Sequence, residues 1–374
     1  MNATWRYHNP VDVQFGSGAL GYLGSHTGGR TVTVVTFPEA RGLGLIARLR
    51  AILGTALVQV IDRTEPNPDV ALLADLYQRF WSDGQAGEVL VAVGGGSVID
   101  TAKTLMVGTA GGSFDALVAL LAAGKPFAPD RVKPLIAVPT TAGTGSEVTP
   151  WATVWDRAAG RKYSLHLPET WPKAAIVDPD LCESLPAGPT RAAGLDALSH
   201  ALESIWNVNA NPVSDTHAVA AARTVIATLP ALMQDLSNRE LRRAMSLAAL
   251  QAGLAFSNTK TALAHSISYE MTLQHGLPHG IACSFTLPMV LERACGIDPA
   301  RDAVLARIFD GDLDRAPARL TDFIESIGVS TRFASYGVSD HDAARMVAEA
   351  LEGVRGRNFI GARAARPAAV EPIA

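Results

Sequence analysis

The chain has 374 residues, 48% of them hydrophobic and 18% charged, enough for two domains with cores of their own. A formal net charge of −4 leaves no electrostatic footprint for nucleic acid or an anionic membrane. Three cysteines, Cys182, Cys283 and Cys295, are too few and too scattered for a disulfide framework or a cysteine metal site, which favours a reducing cytoplasm.

The first residues carry Arg6, His8 and Asp12 and no apolar stretch that reads as a signal peptide. The longest apolar run, 116–123, falls far short of the ~20 residues of a membrane span. A soluble cytoplasmic protein with neither nucleic-acid nor membrane partners is therefore expected.

From residue 31 short β-branched runs alternate with helical spacing. Strands are predicted at 31–36 and 56–62, and helices at 45–53 and 70–80, the second started by Pro68 and Asp69. VLVAV (89–93) is a continuous apolar run, as a strand buried on both faces requires, and LIAVP (135–139) is the next one. Strand, helix, strand in this order implies a parallel sheet with right-handed crossovers.

VLVAV runs straight into Gly94-Gly95-Gly96-Ser97 and a helix through Asp100 and Lys103. A glycine turn between a strand end and a helix start lets backbone N–H groups approach a phosphate, and the helix dipole favours the anion. GGGS fits neither G-x-G-x-x-G nor the P-loop, so its position after the strand carries the reading. PTTAGTGSE (139–147) reads as a second ligand-facing loop, and β-rich pieces follow in 148–177.

SLPAGPT (184–190), broken by Pro186, Gly188 and Pro189, reads as an interdomain connection. The expected domains are an α/β unit over 1–185 and a helical unit over 186–374. Helices are predicted around 191–206, 213–229, 238–256, 260–273, 300–309, 316–327 and 340–352. The Ala/Pro/Arg-rich tail from about residue 360 has little to bury and is expected to be mobile.

The densest chemistry lies in the helical half. Asp196 and His200 sit four residues apart in AGLDALSHALE, on one face of a helix with about 3.6 residues per turn. Small and apolar neighbours bury that helix, and a buried charge needs a partner or a metal. Three of the nine histidines, His265, His275 and His279, follow within 265–279, and two of them would complete a four-ligand set. One carboxylate with up to three imidazoles suits Fe or Zn rather than Mg or Ca. With a nucleotide loop in one domain and this cluster in the other, the cleft between them is the expected active site.

GGGSVIDTAK (94–103), PTTAGTGSEVT (139–149), IVDPDL (176–181), GLDALSHALE (194–203) and the histidine segment ending in PHG occur in an order that resembles the iron-containing (group III) alcohol dehydrogenase family. The resemblance runs from about Tyr7 to Pro299. It implies a dehydroquinate synthase-like fold, with an N-terminal nucleotide-binding α/β domain and an all-α C-terminal domain, and a homodimer. It places the metal, Fe(II) with Zn(II) as the alternative, on Asp196, His200, His265 and His279, and leaves His275 outside the ligand set. It places NAD or NADP on Gly95, Gly96 and Ser97, with Asp100 opening the next helix, and on Asn67, Thr140, Thr141, Lys162 and Leu181.

Two positions depart from the family pattern. Phe37 stands where many members have an aspartate that repels a 2′-phosphate, so NADP becomes at least as expected as NAD, with Arg41 a phosphate partner. Tyr269 stands where a second histidine usually serves proton relay, which leaves Tyr269 and His275 as the proton-donor candidates.

Within the family the runs TPWATVWD with KYSL, ALESIWNVNANPVSD, AHSISYEMT and HGIACSFTLP are most similar to the phosphonoacetaldehyde reductases. The implied reaction is NAD(P)H-dependent reduction of a small aldehyde to a primary alcohol, with phosphonoacetaldehyde giving 2-hydroxyethylphosphonate. A phosphonate needs a cationic partner; Lys260 is the nearest candidate, and Arg157 and Arg161 are weaker ones. Maleylacetate reductase and a generalist short-chain alcohol dehydrogenase are the alternatives. A dehydroquinate synthase-like lyase is more distant, because the Ala/Ser/Leu-rich pocket segments lack its dense basic set.

Overall fold

A computed structural model describes residues 4–82, 84 and 86–364, and they fall into two compact units. One unit holds Asn9–Thr141 and Gly145–Leu185; the other holds Pro186 onward, joined by residues up to His8 and by Ala142–Thr144.

The first unit is built on ten strands: β1 (Asp12–Phe15), β2 (Val32–Thr36), β3 (Leu57–Ile61), β4 (Val89–Gly94), β5 (Val107–Gly108), β6 (Arg131–Val132), β7 (Leu135–Pro139), β8 (Trp151–Asp156), β9 (Arg161–His166) and β10 (Ala174–Val177). Between them lie α1 (Leu23–Thr27), α2 (Leu45–Leu53), α3 (Val70–Ser82), α4 (Gly96–Met106) and α5 (Phe114–Ala123). Six strands form one sheet in the order β1-β10-β7-β4-β2-β3, every neighbouring pair parallel. β8 and β9 form a separate antiparallel hairpin.

Alternation across β4 shows why its run is uninterrupted. Leu90 and Ala92 face one apolar cluster while Val89, Val91 and Val93 face another, so both sides of the pleat are covered. The chain moves outward from β2 to β3, returns to β4, and then moves outward the other way through β7 and β10. The direction reverses between β2 and β4, and their carboxyl ends flank the crevice where doubly wound sheets bind ligands. Phe37 follows β2 and the glycine turn follows β4, so both lie at that crevice.

The helical unit contains α6 (Ala187–Ile205), α7 (Pro212–Gln234), α8 (Arg239–Thr259), α9 (Leu263–Leu273), α10 (His279–Ala282), α11 (Leu287–Ala294), α12 (Pro299–Ala306), α13 (Ala316–Ser326), α14 (Asp340–Glu352) and α15 (Gly361–Ala364). Among the described residues α7 is long and apolar enough to cross a membrane, yet it packs against α6 and α8 and contributes Ala218, Ala221, Ala222, Val225 and Leu229 to the core.

Three sequence expectations are corrected here. The predicted connection at 184–190 is partly the first turn of α6, where Pro189 is tolerated because the first N–H groups of a helix have no intrahelical partner. The helix predicted from residue 260 starts at Leu263, because Lys260 (φ 68°) and Ala262 (φ −129°, ψ −133°) break the chain after α8. The tail read as mobile from about residue 360 begins with α15 and with Ile360 N–H donating to the Trp206 carbonyl at 3.2 Å; residues 365–374 lie outside the described residues.

Candidate metal centre and dinucleotide loop

α6 presents Asp196 and His200 on one buried face, with His200 Nε2 3.7 Å from Asp196 Oδ1. α9 brings His265, whose Nε2 lies 3.5 Å from the same oxygen. The short α10 opens with His279, and its ring sits 5.4 Å from that of His265. Ligand atoms of Asp196, His265, His279 and Cys283 all lie within 4.8 Å of one another.

These separations suit a bound cation: tetrahedral donors on bonds of about 2.1 Å stand roughly 3.4 Å apart. His265 Nε2 is buried without a hydrogen-bond partner, which leaves its lone pair available. Oxygen and imidazole donors of this kind fit Fe(II) or Zn(II).

The electrostatics favour the charge states a metal needs at Asp196 and His200. Burial alone would raise the Asp196 carboxyl, but the imidazoles of His200, His265 and His279 hold it well below the carboxylate range. Burial pushes His200 down to about 4 against the opposing pull of Asp196, so it is neutral at pH 7. At His265 the balance runs the other way: burial would lower it, but Glu203 and Asp196 outweigh that and raise it, so a metal at Nε2 would have to displace a proton these carboxylates favour.

Glu203 is the residue the sequence reading missed. It is fully buried on α6; its Oε2 lies 2.7 Å from His265 Nδ1, and its carboxylate accepts the N–H groups of Ala262, Ala264 and His265. A proton on Nδ1 shared with this carboxylate turns Nε2 toward the ligand cluster. Asp196, His200 and Glu203 stand at i, i+4 and i+7 of one helix, a pattern readable in the sequence. Glu203→Gln is expected to weaken metal affinity by about 10- to 100-fold, measured by chelator competition. Unchanged affinity in a folded variant would remove this role.

Cys283, set aside in the sequence reading, also lies in the cluster. Its thiol donates to Asp196 Oδ1 at 3.3 Å, and burial, reinforced by Asp196, pushes its pKa well above the ordinary thiol value. Gly280 allows this crowding, since a Cβ there would run into the Ala192 carbonyl of α6.

In the other unit, the N-terminus of α4 follows Gly95, where a Cβ would meet the Thr141 side chain at 3.2 Å. Thr140 N–H donates to the Gly94 carbonyl, which joins the loops after β4 and β7. Asn67, with φ 56°, donates its N–H to Ser97 Oγ at 3.1 Å. The Asp100 carboxylate accepts from Ser146 Oγ and Thr153 N–H, so it holds the β7–β8 loop and the hairpin against α4. Lys162 lies 5.0 Å over the Trp155 ring, and Leu181 packs on one face of the sheet. Arg41 is 3.5 Å from Asp62 and largely exposed.

Tyr269 is one turn beyond His265 on α9, and His275 is half-buried in the turn after that helix. The Lys260 side chain is exposed, and its carbonyl accepts from Asn207 Nδ2. Arg157 is tied to the carbonyls of Pro66 and Asn67 and to Glu65.

Comparison with known proteins agrees with both halves of this picture. Residues 10–179 match the profile of the iron-containing alcohol dehydrogenases, and residues 190–365 match the C-terminal profile of the Fe-containing family, well beyond the Pro299 limit read from motifs. The chain is 34% identical over 277 residues to an NAD-dependent methanol dehydrogenase of Bacillus methanolicus, covering 71% of each chain. It is 34% identical over 276 residues to a phosphonoacetaldehyde reductase of Streptomyces viridochromogenes, covering 71% of this chain and 70% of that one. The structure of a sulfoacetaldehyde reductase from Bifidobacterium kashiwanohense in complex with NAD+ superposes with a TM-score of 0.87 at 30% identity, covering 96% of this chain and 95% of that one. The chain therefore belongs to the iron-containing alcohol dehydrogenase family and is an oxidoreductase.

Proposed function

We propose that the protein reduces a short aldehyde bearing a phosphonate, phosphonoacetaldehyde foremost, to the primary alcohol with NADH or NADPH. The convergence of Asp196, His265 and His279 within 4.8 Å, with His200 beside them, is the observation that carries the catalytic part of this reading. Similarity to a phosphonoacetaldehyde reductase and a sulfoacetaldehyde reductase supports the substrate class.

Asp196, His200, His265 and His279 would hold a divalent metal, Fe(II) foremost. Such an ion polarises a carbonyl and stabilises the negative charge that develops on its oxygen. The protein supplies orientation: Glu203 fixes the His265 tautomer, and Gly280 seats His279 against α6. Gly95, Gly96 and Ser97 would receive the pyrophosphate at the start of α4, with Thr140 and Thr141 beside the turn and Asn67 locking Ser97. Lys162 and Leu181 are proposed to flank the cofactor, and Asp100 to set the helix that carries the turn. Tyr269 and His275 are the groups proposed to return the proton to the product oxygen.

Phe37 presents no carboxylate to a 2′-phosphate, while Arg41 has Asp62 as a neighbour at 3.5 Å, so acceptance of both cofactors is the expected outcome. Metal-stripped protein reloaded with Fe(II) or Zn(II) is expected to oxidise NADH and NADPH over phosphonoacetaldehyde faster than over neutral aldehydes of similar size. Equal rates with neutral aldehydes would end the substrate assignment, and turnover without metal would end the metal assignment.

A further inference from the structure

Arg355 follows α14, far along the chain from the proposed ligands, yet its guanidinium carbon lies 4.9 Å over the ring of Tyr269. Tyr269 is one turn, about 6 Å, beyond His265 on the same helix. Arg355 is half-buried, and among the described residues its guanidinium has neither a hydrogen bond nor a carboxylate partner. Glu203 supplies a compensating charge, but its oxygens are committed to His265 and the N–H groups of residues 262, 264 and 265. Burial lowers the guanidinium pKa to about 10, against the pull of Glu203, so the group stays cationic at neutral pH.

A partly desolvated guanidinium with unused donors is poorly satisfied by stacking alone, and its planar fork matches the oxygens of a phosphonate or sulfonate. The other candidates are less suited. Lys260 is exposed, and Arg157 is already tied to two carbonyls and a carboxylate.

We infer that Arg355, steadied on the Tyr269 ring, is the specificity-determining residue that receives the anionic end of an aldehyde whose carbonyl faces the metal ligands. This rests on the substrate class proposed above and adds the group that selects it.

The test compares phosphonoacetaldehyde with its neutral isostere 3,3-dimethylbutanal, in the metal-loaded wild type and in Arg355→Gln and Arg355→Lys. In the wild type the anionic aldehyde is expected to be preferred. Arg355→Gln is expected to lose about 100-fold in kcat/KM for phosphonoacetaldehyde, mainly through KM, with the neutral aldehyde little changed. Arg355→Lys should recover part of the loss, because it restores charge without the fork. A wild type with no preference overturns the substrate class itself. A wild type that prefers the anion while Arg355→Gln keeps that preference overturns only the role of Arg355. An equal loss on both aldehydes with a lowered Tm marks Arg355 as structural and also overturns it.

Discussion

Replacing His265 by alanine is expected to abolish metal retention and to lower kcat/KM for aldehyde reduction by roughly 1,000-fold or more, the equivalent of several kcal/mol of lost charge stabilisation. His265 is the hub of the cluster: its Nε2 is 3.5 Å from Asp196, its Nδ1 is 2.7 Å from Glu203, and its ring stacks at 4.6 Å on that of His200. The substitution removes a donor and leaves the Glu203 carboxylate buried without its imidazole. Elemental analysis of the purified variant measures the first effect, and stopped-flow or steady-state oxidation of NAD(P)H measures the second. Dinucleotide binding, followed by fluorescence, should survive, because the glycine turn belongs to the other unit. A variant that keeps a full complement of metal would remove His265 from the ligand set.

A second large effect is expected at Lys103, where the consequence is stability. Its ammonium is fully buried in α4 and donates to the carbonyls of Ser146, Thr149 and Trp151 and to Ser146 Oγ, at 2.6 to 2.9 Å. Asp100 and Glu147 supply the compensating charge. Lys103→Met strands three buried carbonyls and the Asp100 carboxylate, at a cost of about 3–5 kcal/mol. Calorimetry should show the α/β unit melting about 10 °C lower. A change of only a degree or two would mean that water takes over the lysine's bonds. The same network explains why Lys103 stands in GGGSVIDTAK: it ties the helix carrying the glycine turn to the loop after β7 and to β8.

The parallel sheet was legible because β4 and β7 are buried on both faces and therefore read as unbroken apolar runs. The pair Asp196 and His200 was legible because one helical turn separates them. The choice between His275 and His279 was not, since both lie in a segment where α9 has ended and the chain turns. Only the family resemblance distinguished them, and the structure sets His279 at the cluster because Gly280 lets its turn touch α6. β1 escaped notice because its alternation, Asp12-Val13-Gln14-Phe15, lasts only four residues. The end of α8 at Lys260 depends on a positive φ that a lysine does not advertise. Arg355 gave no local signal, because what distinguishes it is the tertiary contact with Tyr269.

The proposed donors arise from three stretches, α6, α9 and α10, with His279 the last to be made. During synthesis, a ribosome that has not yet passed that histidine displays an incomplete set with no route to closure. The full set of proposed donors therefore exists only once His279 has been made, whichever divalent ion the surroundings would then offer it.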